Sequence, residues 1–352
     1  MLSNDAVYVR DAGLFVVREA ANLTLADFLR KIEGKQTILQ QVRARPDQTF
    51  AQAMAVVHRP QQDMQPMMLS MPCDNHKVIV HRDGTIQFSD SPDDDNRKVS
   101  EMLSLSCRLV PRFGSGKNEG LSRHLAGGWM PIPITEVREG AVICRQSTFV
   151  APHGEFAPPQ QSPAFTGKSI CVAEFTIENT ADQPEDATLA LAFISDTTNK
   201  EAAHAEAVAA GAIVTRGSRL LAFVETGRNN PPKAEARDGT VTLRARLPAK
   251  AKSGCFVYIP TWTAGPGERG ELPEADDLRA RTERYWEAVL SPTMQIDLPD
   301  PLLVNVIRAS QAHCLLAARN EEGGRRIAPW IASVSYGPLE SEGHSIIRGM
   351  DA

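Results

Sequence analysis

SICVAEFTIEN, residues 169–179, is the stretch that decides the fold. Cys171, Ala173, Phe175 and Ile177 alternate with Glu174, Thr176 and Glu178. A period of two puts the apolar set on one face of a β-strand. The same period extends in both directions. Upstream it runs through MMLSM (67–71), KVIVH (77–81), TIQF (85–88), MLSLSCRLV (102–110), ITEVR (134–138) and AVICRQSTFV (141–150). Downstream it continues in ATLALAFIS (187–195), AIVTR (212–216), RLLAFVET (219–226), VTLRARL (241–247) and GCFVYIP (254–260). The letters RDGT occur at Arg82–Thr85 and again at Arg237–Thr240, each before a strand. Asp-Gly suits the positive φ of a tight hairpin turn. Helical crossovers are mostly missing, so parallel βαβ units are excluded in favour of a large antiparallel sandwich.

Composition sets the outer limits. The chain has 352 residues, with 38 Lys plus Arg against 43 Asp plus Glu, a formal charge of −5. That argues against nucleic-acid binding through bulk charge. Hydrophobic residues at 42% and charged residues at 23% are ordinary for a globular protein, so disorder is not expected. The 24 prolines point to many turns and few long helices. No apolar run approaches the ~20 residues of a membrane span. The first residues, MLSNDAVYVRDAGLFVVREA, carry no signal-peptide pattern, which predicts a cytoplasmic protein. The six cysteines are far apart, form no CxxC and sit on apolar patterns. They read as buried reduced thiols, with no metal site in their spacing.

The sandwich is expected over residues 67–270. Before it, residues 1–66 mix short strands at AVYVR and GLFVV with helical patterns. Thr24 to Asp27 opens the first helix as a capping box and Gly34 closes it; a second covers Phe50 to Val57. After the sandwich, Glu271 to Leu290 is strongly helical, with acids early and arginines later, and Pro292 ends it. MQIDL (294–298) reads as a short strand. Asp300-Pro301 starts a helix that is apolar around most of its surface and is expected to be buried on more than one side. The loops at 151–167 and 227–233 are long enough to be functional.

The chemistry concentrates between Trp330 and Asp351. Tyr336, Gly337 and Pro338 lead into a helical pattern carrying Glu340, Glu342, His344 and Arg348. An aromatic ring can stack on the C–H face of a pyranose, and carboxylates accept from its hydroxyls. The plainer alternative is that Glu340 and Glu342 favour a helix N-terminus, and that His344 and Arg348 form a surface stripe.

Trp286-Glu287, the MQIDLPDP segment, the apolar helix and the YGP turn into an acid-bearing helix resemble the six-hairpin glycosidases. This group includes glucoamylase-like, trehalase-like and rhamnosidase-like enzymes and disaccharide phosphorylases. The resemblance implies a mainly β protein: a β-supersandwich, a linker helix at 271–292, and the first helical hairpin of an incomplete (α/α)6 barrel at 293–352. It implies sugar contacts at Tyr336, Glu340, Glu342 and His344. The family's first hairpin loop often reads YG-x-W-x-R-D. Here Leu339 stands at the Trp, Ser341 at the Arg and Glu342 at the Asp. Only the carboxylate survives, so Glu342 reads as a binding residue. The family's acid and base lie on later barrel loops. The expectation is therefore a non-catalytic fragment of a glycoside hydrolase-like protein acting on O-glycosides. Its expected partners are a carbohydrate substrate and the rest of the barrel or a second copy. No cofactor, metal, nucleic acid or membrane is implied. The rival expectation is a stand-alone carbohydrate-binding or interaction module.

Other motifs read as structural. GSGKNEG (114–120) resembles a phosphate loop, but Asn118 follows Lys117 where Ser or Thr is needed. Cys73 and His76 in CDNH suggest a nucleophile pair, yet fit a turn better. SPDDD (91–95) lacks the Gly and distal Glu of a calcium loop. Asn22-Leu23-Thr24 matches a glycosylation sequon, but without a leader it reads as idle. Trp129 reads as a core-edge residue rather than a sugar platform. His313 reads as a core histidine.

Overall fold

The computed structural model describes residues 6–9, 12–17, 23–34, 66–89, 105–116, 121–154, 165–195, 201–321 and 326–329, with single positions at 36, 40, 43–44, 49 and 52. The chain forms two compact units, Met1–His58 and Arg59–Ala352.

In the first unit β1 (Ala6–Val9) and β2 (Leu14–Val17) form an antiparallel hairpin, followed by α1 (Leu25–Ile32). The expected capping box is present. Thr24 Oγ1 accepts from Asp27 N at 3.2 Å, and Asp27 reaches back to the Thr24 backbone N–H. Gly34 has φ +74°, the left-handed conformation in which a helix commonly stops. The Phe15 and Phe28 rings meet at 5.3 Å, and Phe28 is fully buried.

The second unit is mainly β. Its strands are β3 (Met67–Leu69), β4 (Val78–Val80), β5 (Ile86–Phe88), β6 (Cys107–Phe113), β7 (Ser122–Leu125), β8 (Pro133–Glu139), β9 (Val142–Pro152), β10 (Ser169–Asn179) and β11 (Glu185–Ser195). There follow β12 (His204–Val208), β13 (Gly211–Arg216), β14 (Arg219–Thr226), β15 (Lys233–Arg237), β16 (Thr240–Leu247) and β17 (Lys252–Pro260). They make two sheets. One has eight strands in the order β12-β13-β14-β17-β10-β9-β8-β7, the other seven in the order β15-β16-β11-β6-β5-β4-β3. All pairings within both sheets are antiparallel.

The alternation in 169–179 fixes which face is inside. Phe175 meets Phe113 of the opposite sheet, with ring centroids 6.1 Å apart. Gln146 Nε2 donates across the interior to the Gly84 carbonyl at 2.9 Å. Both RDGT turns are hairpins. Gly84 has φ +88°, and Asp238 and Gly239 have φ +48° and +71°. Strands β7, β12 and β15 carry no clear apolar alternation in sequence. They lie at or next to sheet edges, where one pairing partner suffices.

Two further helices, α2 (Ala275–Leu290) and α3 (Pro301–Ala317), follow the sandwich within the same compact unit. A hairpin of β18 (Arg319–Glu321) and β19 (Arg326–Ala328) comes next. Asp300 caps α3 as expected, its side chain accepting from Leu302 N at 3.0 Å, with Pro301 in the first turn. Helix α2 starts later than the sequence suggests, because residues Pro266–Glu271 form a 3-10 turn.

Two expectations are corrected. MQIDL is not a strand: residues 294–298 pair with no sheet, and the Gln295 side chain donates to the carbonyls of Leu290 at 2.8 Å and Thr293 at 3.0 Å. Helix α3 is not buried on several sides. Only Gln311, Ala312, Leu315 and Leu316 near its C-terminal end are buried; its middle meets the sandwich through longer polar side chains, Asn305 beside Gly128 and Arg308 over Trp129. Among the described residues no helix is long and apolar enough to cross a membrane.

Candidate functional site

The residues singled out for sugar contact, Tyr336, Glu340, Glu342 and His344, lie outside the described residues, as do Trp330 and Arg348. So do the helical pattern from Glu342, the SPDDD run, and Lys117 and Asn118 of the glycine-rich loop. Hairpin β18–β19 is the last described element before that segment. The described part of the chain contains two polar constellations: a buried junction that holds α3, and an open groove on the eight-stranded sheet.

The junction is built on the turn between β3 and β4. Cys73 sits there with φ +54°, a strained conformation for a side-chain-bearing residue, and its N–H donates to the Leu315 carbonyl at 2.8 Å. Lys77 is 3% exposed. Its ammonium donates to Ser70 Oγ at 3.2 Å, Leu316 O at 2.6 Å and Ala318 O at 2.8 Å. A buried cation thus caps the C-terminal end of α3, where orphan carbonyls and the helix dipole favour positive charge. Burial nevertheless pushes the Lys77 pKa down to about 8, against the opposing pull of Asp74. Asn75 and Asn320 form a reciprocal pair: Asn75 Nδ2 donates to Asn320 O at 2.6 Å, and Asn320 N donates to Asn75 Oδ1 at 2.9 Å.

Asp74 organises the other side of this turn. Its Oδ1 lies 2.9 Å from His76 Nδ1, and Ser169 Oγ donates to its Oδ2 at 2.9 Å. Ser169 in turn lies 2.9 Å from Thr261 Oγ1. Burial raises the Asp74 carboxyl, but His76 and Lys77 outweigh this and hold it below its ordinary value. This is not a nucleophilic triad, since the serine bonds the carboxylate rather than the histidine. Nor is Cys73 an activated thiol. Burial pushes its pKa up to about 11, whereas a nucleophilic cysteine needs a lowered one.

Helix α2 lies on the outer face of the eight-stranded sheet. Arg279 Nη1 donates to Ser147 Oγ at 2.7 Å, Arg281 Nη1 to the His153 carbonyl at 2.9 Å, and the Arg279 guanidinium faces the Phe149 ring. Thr282, Tyr285 and Trp286 are buried beneath it. This cover explains why β9 is buried on both faces from Gln146 onward, although its sequence was expected to alternate.

Beyond the start of α2 the outer face opens into a groove of about 320 Å³. Its floor is a row across three strands. Register pairs Glu174 with Phe256, and Phe256 with Glu225. Phe256 is half-buried and lies between the two carboxylates. The neighbouring row pairs Thr176 with Gly254. A Cβ on Gly254 would sit 2.3 Å from the Phe175 carbonyl oxygen, so the floor is bare there by necessity. The rim carries Glu274 and Asp276 from the start of α2, and Arg228 and Asn229 from the β14–β15 loop. Arg228 and Glu274 form an ion pair at 2.9 Å. Tyr258 donates to Glu225 Oε2 at 3.0 Å, and Arg279 Nη1 lies 3.4 Å from Glu174 Oε2. Burial raises the Glu174 carboxyl, with Arg279 opposing and Asp276 adding to the effect. Among the described residues no three His, Cys, Asp or Glu side chains are placed to hold a metal ion.

Most of the remaining candidates are packed away. Trp129 is 4% exposed, and the Arg308 guanidinium covers its ring at 3.8 Å, so it offers no free face to a sugar. His313, expected in the core, is instead exposed on α3, although desolvation by its neighbours lowers its pKa. All six cysteines are free, and five are buried. The groove went unseen in the sequence because each of its strands looked ordinary alone. Only the register brings Glu174, Phe256 and Glu225 into line.

No protein-family model matches this chain, and no curated protein matches it.

Proposed function

We propose that this chain is the carbohydrate-recognising front of a six-hairpin glycosidase-like protein, acting on O-glycosides by binding rather than by bond cleavage. In this reading the sandwich is the support, α2 the linker helix, and α3 the first helix of an (α/α)6 barrel. Tyr336 stacks on a pyranose ring, while Glu340 and Glu342 accept its hydroxyls and His344 adds a further polar contact. The observation that supports the reading most is the fastening of α3. Lys77, the Asn75–Asn320 pair and the Cys73 N–H grip its last turn and the following hairpin from the sandwich. Rigid elements give a binding segment a fixed base, which lowers the entropy lost on binding.

The test is calorimetric titration of short O-linked oligosaccharides into the wild type, Tyr336→Ala and Glu342→Gln. Hydrogen bonds to a charged group contribute ~1.5–3 kcal/mol, so Glu342→Gln is expected to weaken binding about 10- to 100-fold. Absence of binding by the wild type, or equal binding by both variants, would overturn the reading.

A further inference from the structure

We propose that the groove on the outer face of the eight-stranded sheet is a second carbohydrate site, taking a short neutral oligosaccharide. This deepens the reading above, on which it rests for the ligand class, but it is carried by a separate set of residues.

The shape fits first. About 320 Å³ lies at the small end of small-molecule sites, and the groove's open sides let an extended chain lie along the sheet. The floor supplies the two surfaces a sugar ring needs. Phe256 offers an apolar patch for a C–H face, and Glu174 and Glu225 stand on either side of it as hydroxyl acceptors. The bare Gly254 position next to it leaves room for a second ring.

Charge selects against other ligands. Four carboxylates, Glu174, Glu225, Glu274 and Asp276, share the groove with Arg228, Lys252 and the nearby Arg279. Acidic and basic groups are both present and partly paired, so neither an anion nor a cation is strongly favoured. Hydroxyl groups, which both donate and accept, suit such a lining. The carboxylates are spread along the groove rather than gathered on one point.

The groove is also preformed. Tyr258 fixes Glu225, and Arg279 holds Glu174. Ser253 Oγ donates to the Asn230 carbonyl at 2.7 Å, and Asn230 Nδ2 donates to the Lys252 carbonyl at 3.0 Å, so the β14–β15 loop is pinned to the floor. The exception is the Arg228–Glu274 pair, whose side chains are 83% and 63% exposed. An exposed pair of this kind is weakly held, so a ligand can replace it.

The experiment titrates maltotetraose, cellotetraose and mannotetraose into the full chain, its groove variants Glu225→Gln and Asn229→Ala, and Tyr336→Ala. Melting temperatures check that each variant is folded. The expected result is that at least one tetrasaccharide binds the wild type and each groove variant weakens it tenfold or more. The same ligand should slow amide exchange in residues 225–229 and 252–256. If Tyr336→Ala abolishes binding while both groove variants bind like the wild type, without protection there, the groove proposal fails and the C-terminal reading stands. If no tetrasaccharide binds the wild type, the carbohydrate reading fails and the groove proposal with it. Should a groove variant be unfolded, the exchange footprint on the wild type decides.

Discussion

Lys77 keeps its charge inside the protein because three oxygens face it, Ser70 Oγ and the carbonyls of Leu316 and Ala318, and the Asp74 carboxylate lies near. Replacing it with methionine leaves two buried carbonyls without a donor, at roughly 1–3 kcal/mol each. K77M is therefore expected to lower the unfolding free energy by about 2–6 kcal/mol in urea at pH 7. The pH dependence has a defined sign. The native pKa, near 8, lies below the ordinary lysine value of 10.5, so between these values the unfolded chain binds more protons. Stability from this group rises as pH climbs from about 8 to 10.5 and is lost as pH falls back through 8. K77M should lack that rise, and a flat difference between the two proteins across this range would refute the assignment. Cys73 gives a second residue-scale prediction. With its pKa near 11, the thiol should resist iodoacetamide at pH 8 in the folded protein and react only on unfolding. Native alkylation at Cys73 would contradict its burial. CDNH was legible in sequence as a turn, but not the grip of its neighbour Lys77 on α3, because partners more than 200 residues apart leave no local pattern.

At the scale of elements, strands with strict alternation and helices with caps were readable, and elements stabilised by neighbours were not. Thr24, Asp300 and both RDGT turns gave their local structure because the chemistry lies within four residues. Strands β7, β12 and β15 were missed because their pairing, not their composition, makes them strands. MQIDL erred the other way: apolar alternation alone gives no strand without an edge to join. Helix α2 was expected from its charge pattern, but its bed on β9 was not. Trp286, 1% exposed, is the largest side chain that this helix buries. Trp286→Ala should destabilise the protein by ~3–5 kcal/mol, the usual cost of deleting a buried large aromatic. Faster amide exchange along α2, ahead of the sandwich core, is the accompanying expectation. A loss below ~1 kcal/mol would mean that the helix is not held by this packing.

For the molecule as a whole, the sandwich was legible because period-two alternation recurs over most of residues 67–260. The separate compactness of Met1–His58 was visible only as a change of pattern. The candidate sugar residues came from resemblance and the groove came from sheet register; the residues are separate, while the ligand class is shared. Together they support the proposal that an antiparallel sandwich meets carbohydrate at a C-terminal segment and along the outer face of its larger sheet. Amide hydrogen exchange, measured with and without a saturating neutral oligosaccharide, tests that claim most directly. The account predicts slowed exchange confined to residues 225–229, 252–256 and 336–344. Unchanged exchange in all three segments at saturating sugar would contradict it.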